Sequence, residues 1–296
     1  MSDFITKAFV QEYKANTELL LQQKDSRFAM CVTSDSYHGK QASVVEQFGE
    51  TAARKRSQRY QDTPNMDVPQ EKRWVVPSDY DWGRMVDKVD QLRMIIDPTS
   101  PLAMAGAAAM QRAKDDEIIA AFFAASVTGE DAETTETFDT TNYQVAVNTG
   151  GTASSINVAK LQLAREQLMR ANKGQLDETP YCAISSYEHA ALLKEIEVTS
   201  RDFNGGQPVL VNGTVDMFMG FRFVITERLA ISGGNRLIPA WVPSGMHLGT
   251  WEDIQAKITE RADKSYAWQV YLNETIGATR LQQGKVIQIL CDDQIA

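Results

Sequence analysis

The chain has 296 residues, 43% of them hydrophobic and 23% charged, with a formal net charge of -9. That is the composition of an ordinary globular protein, with room for two compact domains or one elongated body. The acidic balance argues against a general nucleic-acid binder, which needs a basic surface, and no apolar run approaches the length required to cross a bilayer.

From the start, residues 3–23 alternate apolar and polar at helical spacing. Phe4, Ala8, Tyr13, Leu19, Leu20 and Leu21 form a thin stripe that Asn16 and Thr17 interrupt. A terminal stripe needs a surface to lie on, either its own core or a neighbouring copy. Residues 34–81 change character, with Gly39, Gly49, Pro64, Pro69, Pro77 and a basic run of Arg54, Lys55, Arg56 and Arg59. Val44, Val45 and Phe48 suggest one strand and Trp74, Val75 and Val76 another. Together they predict a long hairpin arm with a polar, proline-bearing tip, because a structureless loop of that length is uncommon. Residues 80–96 read as a helix, with Trp82, Met85, Val86, Val89 and Leu92 on one side and Asp97-Pro98 ending it.

Residues 100–129 carry the start and stop signals of one long helix. Ser100 suits the N-cap, Pro101 the first helical position and Gly129 the left-handed closing residue. The interior is alanine-rich with Gly106 as its weak point, and a helix over 101–128 would run roughly 40 Å. An acidic patch follows: Glu130, Asp131, Glu133, Glu136 and Asp139. Residues 143–147 look like a strand, and residues 148–155 like a Gly/Ser/Thr hinge ending in an N-cap. Residues 156–172 are an amphipathic helix (Val158, Leu161, Arg165, Leu168) closed by Gly174. A short buried strand is expected at 181–184, then a helix capped by Ser185 or Ser186 that carries Ala190, Leu192, Leu193 and Ile196. Further strands are expected at 209–211, 218–226, 236–242, 266–271 and 286–291, with 251–260 of mixed character. Helices and strands without regular alternation give an α+β class with mainly antiparallel pairing.

Catalytic constellations are weak. Cys31, Cys182 and Cys291 are far apart and odd in number; with no signal peptide they read as reduced cytosolic thiols in a soluble, unexported product. A Cys182–His189 dyad is conceivable, but Tyr-Cys-Ala-Ile looks like core. The pairs Asp115–Asp116, Glu252–Asp253 and Asp292–Asp293 read as surface charges, since adjacent side chains on a helix diverge by about 100°. GATRLQQGK at 277–285 has the wrong glycine spacing for a phosphate loop, and Val286 stands where a hydroxyl is needed. No metal set, no cofactor site and no enzyme are expected.

Several ordered stretches resemble the major capsid proteins of tailed double-stranded DNA bacteriophages: FVQEYKANTELLLQQKDSRF, DYDWGRMVDKVDQLRMIIDPTSP, RAKDDEIIAAFFAASVTG, TPYCAISSYEHAALLK, MGFRFVITERL, WEDIQAKITERADKS and GATRLQQGKVIQILC. The resemblance spans nearly the whole chain. It implies the HK97-like capsid fold, with an N-terminal arm (1–34), an extended β-hairpin or E-loop (35–80), a peripheral domain (81–155) around a spine helix (101–128), an axial domain (156–250) and return β-segments (251–296). It further implies self-assembly into hexamers and pentamers of an icosahedral shell around phage double-stranded DNA, without sequence-specific binding. A packaging motor rather than affinity would hold the DNA, so an acidic subunit is acceptable. Implied partners are the portal protein, a separate scaffolding protein (or none, since the chain begins at the arm) and, in some members, a decoration or cement protein. The implied location is the virion, after assembly in the bacterial cytoplasm. Some members weld subunits through Lys–Asn bonds; Lys55, Lys72 and Asn273 are the right residue types, but no local motif identifies a crosslink.

The intersubunit contacts expected on this reading are Phe4, Leu19, Leu20 and Leu21 on the arm, and Arg54, Lys55, Arg56 and Arg59 near the hairpin tip. The last four are expected to meet Glu130, Asp131, Glu133, Glu136 and Asp139 of an adjacent subunit; the alternative is two solvated charge clusters. Two other functions stay open at this point: an encapsulin-like cellular compartment shell, and a cytosolic hydrolase using Cys182 and His189.

Overall fold

The computed structural model describes residues 23–39, 42–63, 65–87, 99–195, 198, 210–211 and 213–292. The predicted arm contacts Phe4, Leu19, Leu20 and Leu21 lie outside the described residues. In chain order the elements are β1 (Thr33–Ser36), β2 (Ala42–Phe48), β3 (Gln70–Val75), β4 (Ser78–Val86), α1 (Thr99–Phe123), β5 (Ser126–Thr128), β6 (Thr134–Glu136) and β7 (Gln144–Val145). Then come α2 (Val158–Ala171), β8 (Tyr181–Ile184), α3 (Ser186–Leu192), β9 (Leu210–Val211), β10 (Thr214–Val215), β11 (Met217–Phe218) and β12 (Phe221–Ile225). Strands β13 (Ile231–Ser232), β14 (Asn235–Trp241), β15 (Met246–Arg261), β16 (Ala267–Arg280) and β17 (Val286–Asp292) complete the α+β fold.

Two compact units share these elements, and the boundary between them falls within β4, α1, β15 and β16. The first unit takes the described residues of Asp79–Lys114 and Glu252–Thr275. Here the stretch expected to be a helix over 80–96 begins as strand β4 instead. Tyr80, Trp82 and Val86 also satisfy a period of two, and that periodicity wins because an apolar partner is available. Tyr80 and Trp82 pack against a core of Met110, Val270 and Leu272, joined by Leu102, Ala103 and Ala107 of the helix. The aromatic ring also explains the glycine in the alanine-rich half of α1. A Cβ on Gly106 would stand 2.6 Å from Trp82 Cε3 and 2.7 Å from Leu272 Cδ1, so only hydrogen fits. Lys114, at the end of this part of α1, meets the wholly buried Glu274 at 2.7 Å, with Asp253 at 3.9 Å. Burial pushes the Glu274 carboxyl up, and the Lys114 ammonium opposes that shift.

The second unit takes the described residues of Arg27–Ser78, Asp115–Trp251 and those from Ile276 onward. Its main sheet runs β11-β12-β8-β14-β17-β7, with β13 on β14. Pairing is antiparallel between β14 and β17 over seven residues, from Asn235 opposite Asp292 to Trp241 opposite Val286. It is parallel between β12 and β8 and between β17 and β7. Strands β8, β14 and β17 are largely buried on both faces, which is why each reads as a mainly apolar stretch, with Arg236 and Gln288 as buried polar members. Helix α2 begins two residues later than the expected cap. Asn157, not Ser155, accepts the Lys160 N–H at 2.8 Å, and Gly174 lies just past the helix end at φ +85°. Helix α3 has the expected Ser185 cap, completed by Glu188 as a capping box.

Helix α1 stops at Phe123, five residues short of the predicted end. Ser126, Val127 and Thr128 form β5, and Gly129 uses its φ of +96° in the turn between β5 and β6 rather than to close the helix. The helix is closed by a distant side chain instead. The guanidinium of Arg280 donates to Phe122 O (2.8 Å) and Ala124 O (2.9 Å). Beside it Phe122, Phe28, Tyr181 and Trp241 form an aromatic cluster; Phe122 and Trp241 have ring centroids 4.7 Å apart, and Trp241 Nε1 donates to Cys31 O at 2.8 Å. Asp115, read from the sequence as a surface charge, is fully buried and accepts from the backbone N–H groups of Arg27 (3.1 Å) and Phe28 (3.2 Å). Two adjacent carboxylates diverge here as expected, but one of them diverges inward. Asp116 is the exposed member and pairs with Arg228.

Strand β1 pairs in parallel with the first residues of β15, from Thr33 opposite His247 to Ser36 opposite Thr250. The buried His247 ring ties this pair down from both nitrogens. Thr33 Oγ1 spends its proton on Met246 O (2.7 Å), so its lone pair faces Nδ1 at 2.9 Å, while Tyr37 O–H meets Nε2 at 2.9 Å. The neutral ring with its proton on Nδ1 satisfies both contacts. Burial lowers the His247 pKa, with Asp35 pulling the other way. An unfolded histidine therefore takes up a proton more readily than the folded one. This group's contribution is complete above about pH 6.5 and is lost as pH falls below it. The melting temperature should accordingly fall more steeply between neutral and mildly acidic pH in the native protein than in His247→Gln. Parallel pH profiles in calorimetry would refute this.

Candidate assembly surfaces

Strands β2 and β3 form an antiparallel hairpin, from Ala42 opposite Val75 to Phe48 opposite Gln70, with a bulge between Ser43 and Val45. Its loop, residues 49–69, is closed at the base by Gly49 N–H donating to Pro69 O at 2.6 Å. Among its described residues the loop beyond that base makes no helix or strand, and nearly all of their side chains face solvent. Tyr60 is 96% exposed, and Met66 and Val68 are also open. Arg54, Lys55, Arg56 and Arg59 are all exposed here. Arg54 donates to Asp62 O (3.0 Å) and Arg56 to Gln58 O (3.1 Å), which are bonds within the loop; no ion pair to these four cations occurs among the described residues.

The hairpin is anchored through β3 to β5 and through β5 to β6. Trp74 Nε1 donates to Gly129 O at 2.8 Å, and the guanidinium of Arg73, with its side chain 6% exposed, pairs with Glu136 and lies 3.4 Å from Glu71. Residues 70–73, 128–130 and Glu136 line a polar cleft of about 550 Å³ beside this pair.

The five predicted acidic contacts separate into two groups. Glu130, Asp131 and Glu133 project from the turn between β5 and β6 and are exposed. Glu136 is engaged by Arg73 of its own chain. Asp139 folds over its own turn, accepting from Asn142 Nδ2 (2.7 Å) and from the N–H groups of Thr141 (2.9 Å) and Asn142 (3.3 Å). These bonds, Asn142's side chain foremost, hold its carboxyl below the usual range. The sequence marks Trp74 only as a strand residue and Arg73 not at all, because their partners Gly129 and Glu136 lie more than fifty residues away and leave no local pattern.

The thiols are poorly placed for chemistry. Cys31, Cys182 and Cys291 are buried, and burial drives the Cys182 pKa well above that of a free thiol, the opposite of what a nucleophile needs. His189 Nε2 accepts the Val215 N–H at 3.1 Å, which commits that nitrogen to the backbone. Among the described residues no three His, Cys, Asp or Glu side chains are grouped so as to hold a metal, and no helix is long and apolar enough to cross a membrane.

A family model described as phage capsid protein matches residues 5–293. No curated protein matches the chain significantly. Solved structures share the fold at low identity. A chain of the capsid of cyanophage P-SCSP1u superposes with a TM-score of 0.73 at 16% identity, covering 96% of this chain and 94% of that one. A chain from the cyanophage Pam1 capsid asymmetric unit gives 0.70 at 14% identity, with both chains covered completely at 100%. A chain from Mycobacterium phage Che8 gives 0.69 at 15% identity, covering 95% and 97%.

Proposed function

The chain belongs to the phage capsid protein family, and from that premise we propose that its copies associate as hexamers and pentamers closing an icosahedral head shell around phage double-stranded DNA. The observation that carries this reading is the β2–β3 hairpin. It exposes a loop of residues 49–69 with Tyr60, Met66, Val68 and four cations, surface that gains cover when a neighbouring copy packs on it. In this reading residues 1–34 serve as the arm, 35–80 as the E-loop, 81–155 as the peripheral domain with α1 as its spine, 156–250 as the axial domain and 251–296 as the returning strands. A portal protein at one vertex, a separate scaffolding protein and a decoration protein are the partners such a shell would recruit, with assembly in the host cytoplasm before the protein enters the virion. The family match favours this over a cellular compartment shell.

Negative-stain microscopy and sedimentation of the expressed full-length chain, alone and with the phage's other head proteins, test the proposal. Closed shells or capsomer rings are expected. A chain that stays monomeric under both conditions would overturn it.

A further inference from the structure

We propose that Lys160 and Cys291 form an oxidative crosslinking site, at which dioxygen joins the lysine nitrogen to the cysteine sulfur through one bridging oxygen. The two side chains come from α2 and from the end of β17, and both are completely buried. A lysine ammonium donates three hydrogen bonds, and two of those of Lys160 go to Ser154 O (2.6 Å) and Leu290 O (2.9 Å). Its third contact is the Cys291 sulfur at 4.0 Å. Sulfur is a weak acceptor, so hydrogen bonding alone is a poor reason to set an amine against a buried thiol. All three cysteines are free. Cys182 stands opposite Ala240 of β14, whereas Cys291 stands opposite Arg236. Four positions along a strand span about 13 Å, beyond the reach of a disulfide, so the amine is the reactive neighbour this sulfur has.

Burial pushes the Cys291 thiol up to about 12 and lowers the Lys160 pKa, each shift opposed in part by the other group's charge. Both shifts favour the uncharged forms. A protonated, enclosed thiol is a poor nucleophile toward outside substrates, but neutral amine and thiol are what this oxidation consumes. In the overall step an N–H bond, the S–H bond and the O–O bond break. Amine and thiol each give up one proton and two electrons, and dioxygen takes up all four electrons. One of its atoms becomes the N–O–S bridge, and the other leaves with the two protons as water. The exposed residues 150–153 lead into Ser154, whose carbonyl accepts from Lys160 and also from the Asp292 N–H at 3.0 Å. Local opening of that segment admits dioxygen to the pair. The bridge ties α2 to the end of β17 within one chain, so it forms independently of any assembly.

Intact-mass spectrometry of the full-length chain decides the matter. Protein purified under argon should show the unmodified mass, and incubation in air should build up a species heavier by about 14 Da, one oxygen gained and two hydrogens lost. Dithiothreitol should return it to the starting mass, which separates the bridge from a methyl group. In the unreduced tryptic map the peptide that begins at Val286 should be joined to the one that contains Lys160, with cleavage after Lys160 lost. Lys160→Arg keeps a cation for the two carbonyls and should abolish the heavier species, as should Cys291→Ser. Cys31→Ser and Cys182→Ser should leave it in place. A native chain whose mass does not change in air overturns the proposal, and that reading requires no variant to fold. So does a gain of about 16 or 32 Da on Cys291 alone, the sulfenic or sulfinic acid, or a heavier species that survives the reductant.

Discussion

Replacing Arg280 with methionine should lower stability by about 3 kcal/mol, because it leaves hydrogen-bond acceptors unpaired at about 1–3 kcal/mol each and removes a cation from the helix C-terminus. The side chain is 1% exposed and answers three needs at once. An α-helix ends with carbonyls that have no partner of their own, and Nη1 of Arg280 takes two at the end of α1, Phe122 O and Ala124 O. Its positive charge sits at the negative end of the helix dipole, and its guanidinium carbon lies 5.1 Å above the Phe138 ring. Burial draws its pKa down to about 10, so it remains charged at neutral pH and its hydrogen bonds are charge-assisted. Methionine would fill much of the volume but leave the Phe122 carbonyl buried and unpaired and strip the Ala124 carbonyl of its partner. Thermal melting should drop by on the order of 10 °C. Lysine should recover only part of the loss, because an ammonium cannot reproduce the planar fork. A methionine variant that melts with the native protein would show that the carbonyls find other partners.

Ala109→Pro should be nearly as damaging. Residue 109 lies in the interior of the 25-residue α1, half-buried, three residues beyond the Gly106–Trp82 contact. Proline removes the N–H that bonds the preceding turn and drives its ring against the carbonyl four residues back, at a cost of about 3 kcal/mol or more. The resulting kink would also pull Ala107 and Met110 away from Val270 and Leu272, opening the core of that unit. Insoluble protein or malformed particles are expected, with Ala109→Ser as a soluble control. A proline variant with native melting and normal particles would mean that the helix need not be continuous there.

Much of this architecture is written locally. Strands β8, β14 and β17 show as mainly apolar stretches, because burial on both faces leaves few polar positions within them. The amphipathic α2 shows by its spacing, and the Ser185-x-x-Glu188 capping box marks α3 because both partners of that motif lie within one turn. The stretch from Ser78 to Val86 is ambiguous for a definite reason: over so few residues Trp82, Met85 and Val86 fit a helical face while Tyr80, Trp82 and Val86 fit a strand face. Only the apolar core waiting beside Tyr80 and Trp82 selects the strand. The end of α1 was misplaced because Gly129 advertises a left-handed conformation without saying whether it ends a helix or turns a hairpin.

The candidate site divides the same way. The basic run and the acidic turn were legible as charge clusters, since like charges adjacent in sequence are visible without a fold. Which of the acids remain available was not. Glu136 is claimed by Arg73, 63 residues before it, and Asp139 by its own turn, while Asp115 is carried inward to hold backbone groups 87 and 88 residues away. Short-range periodicity and capping are properties of neighbouring residues, so the sequence alone determined most of the elements and their charge. Ion pairs, caps and clefts made by residues far apart in the chain depend on how those elements pack, and only the tertiary structure decided them.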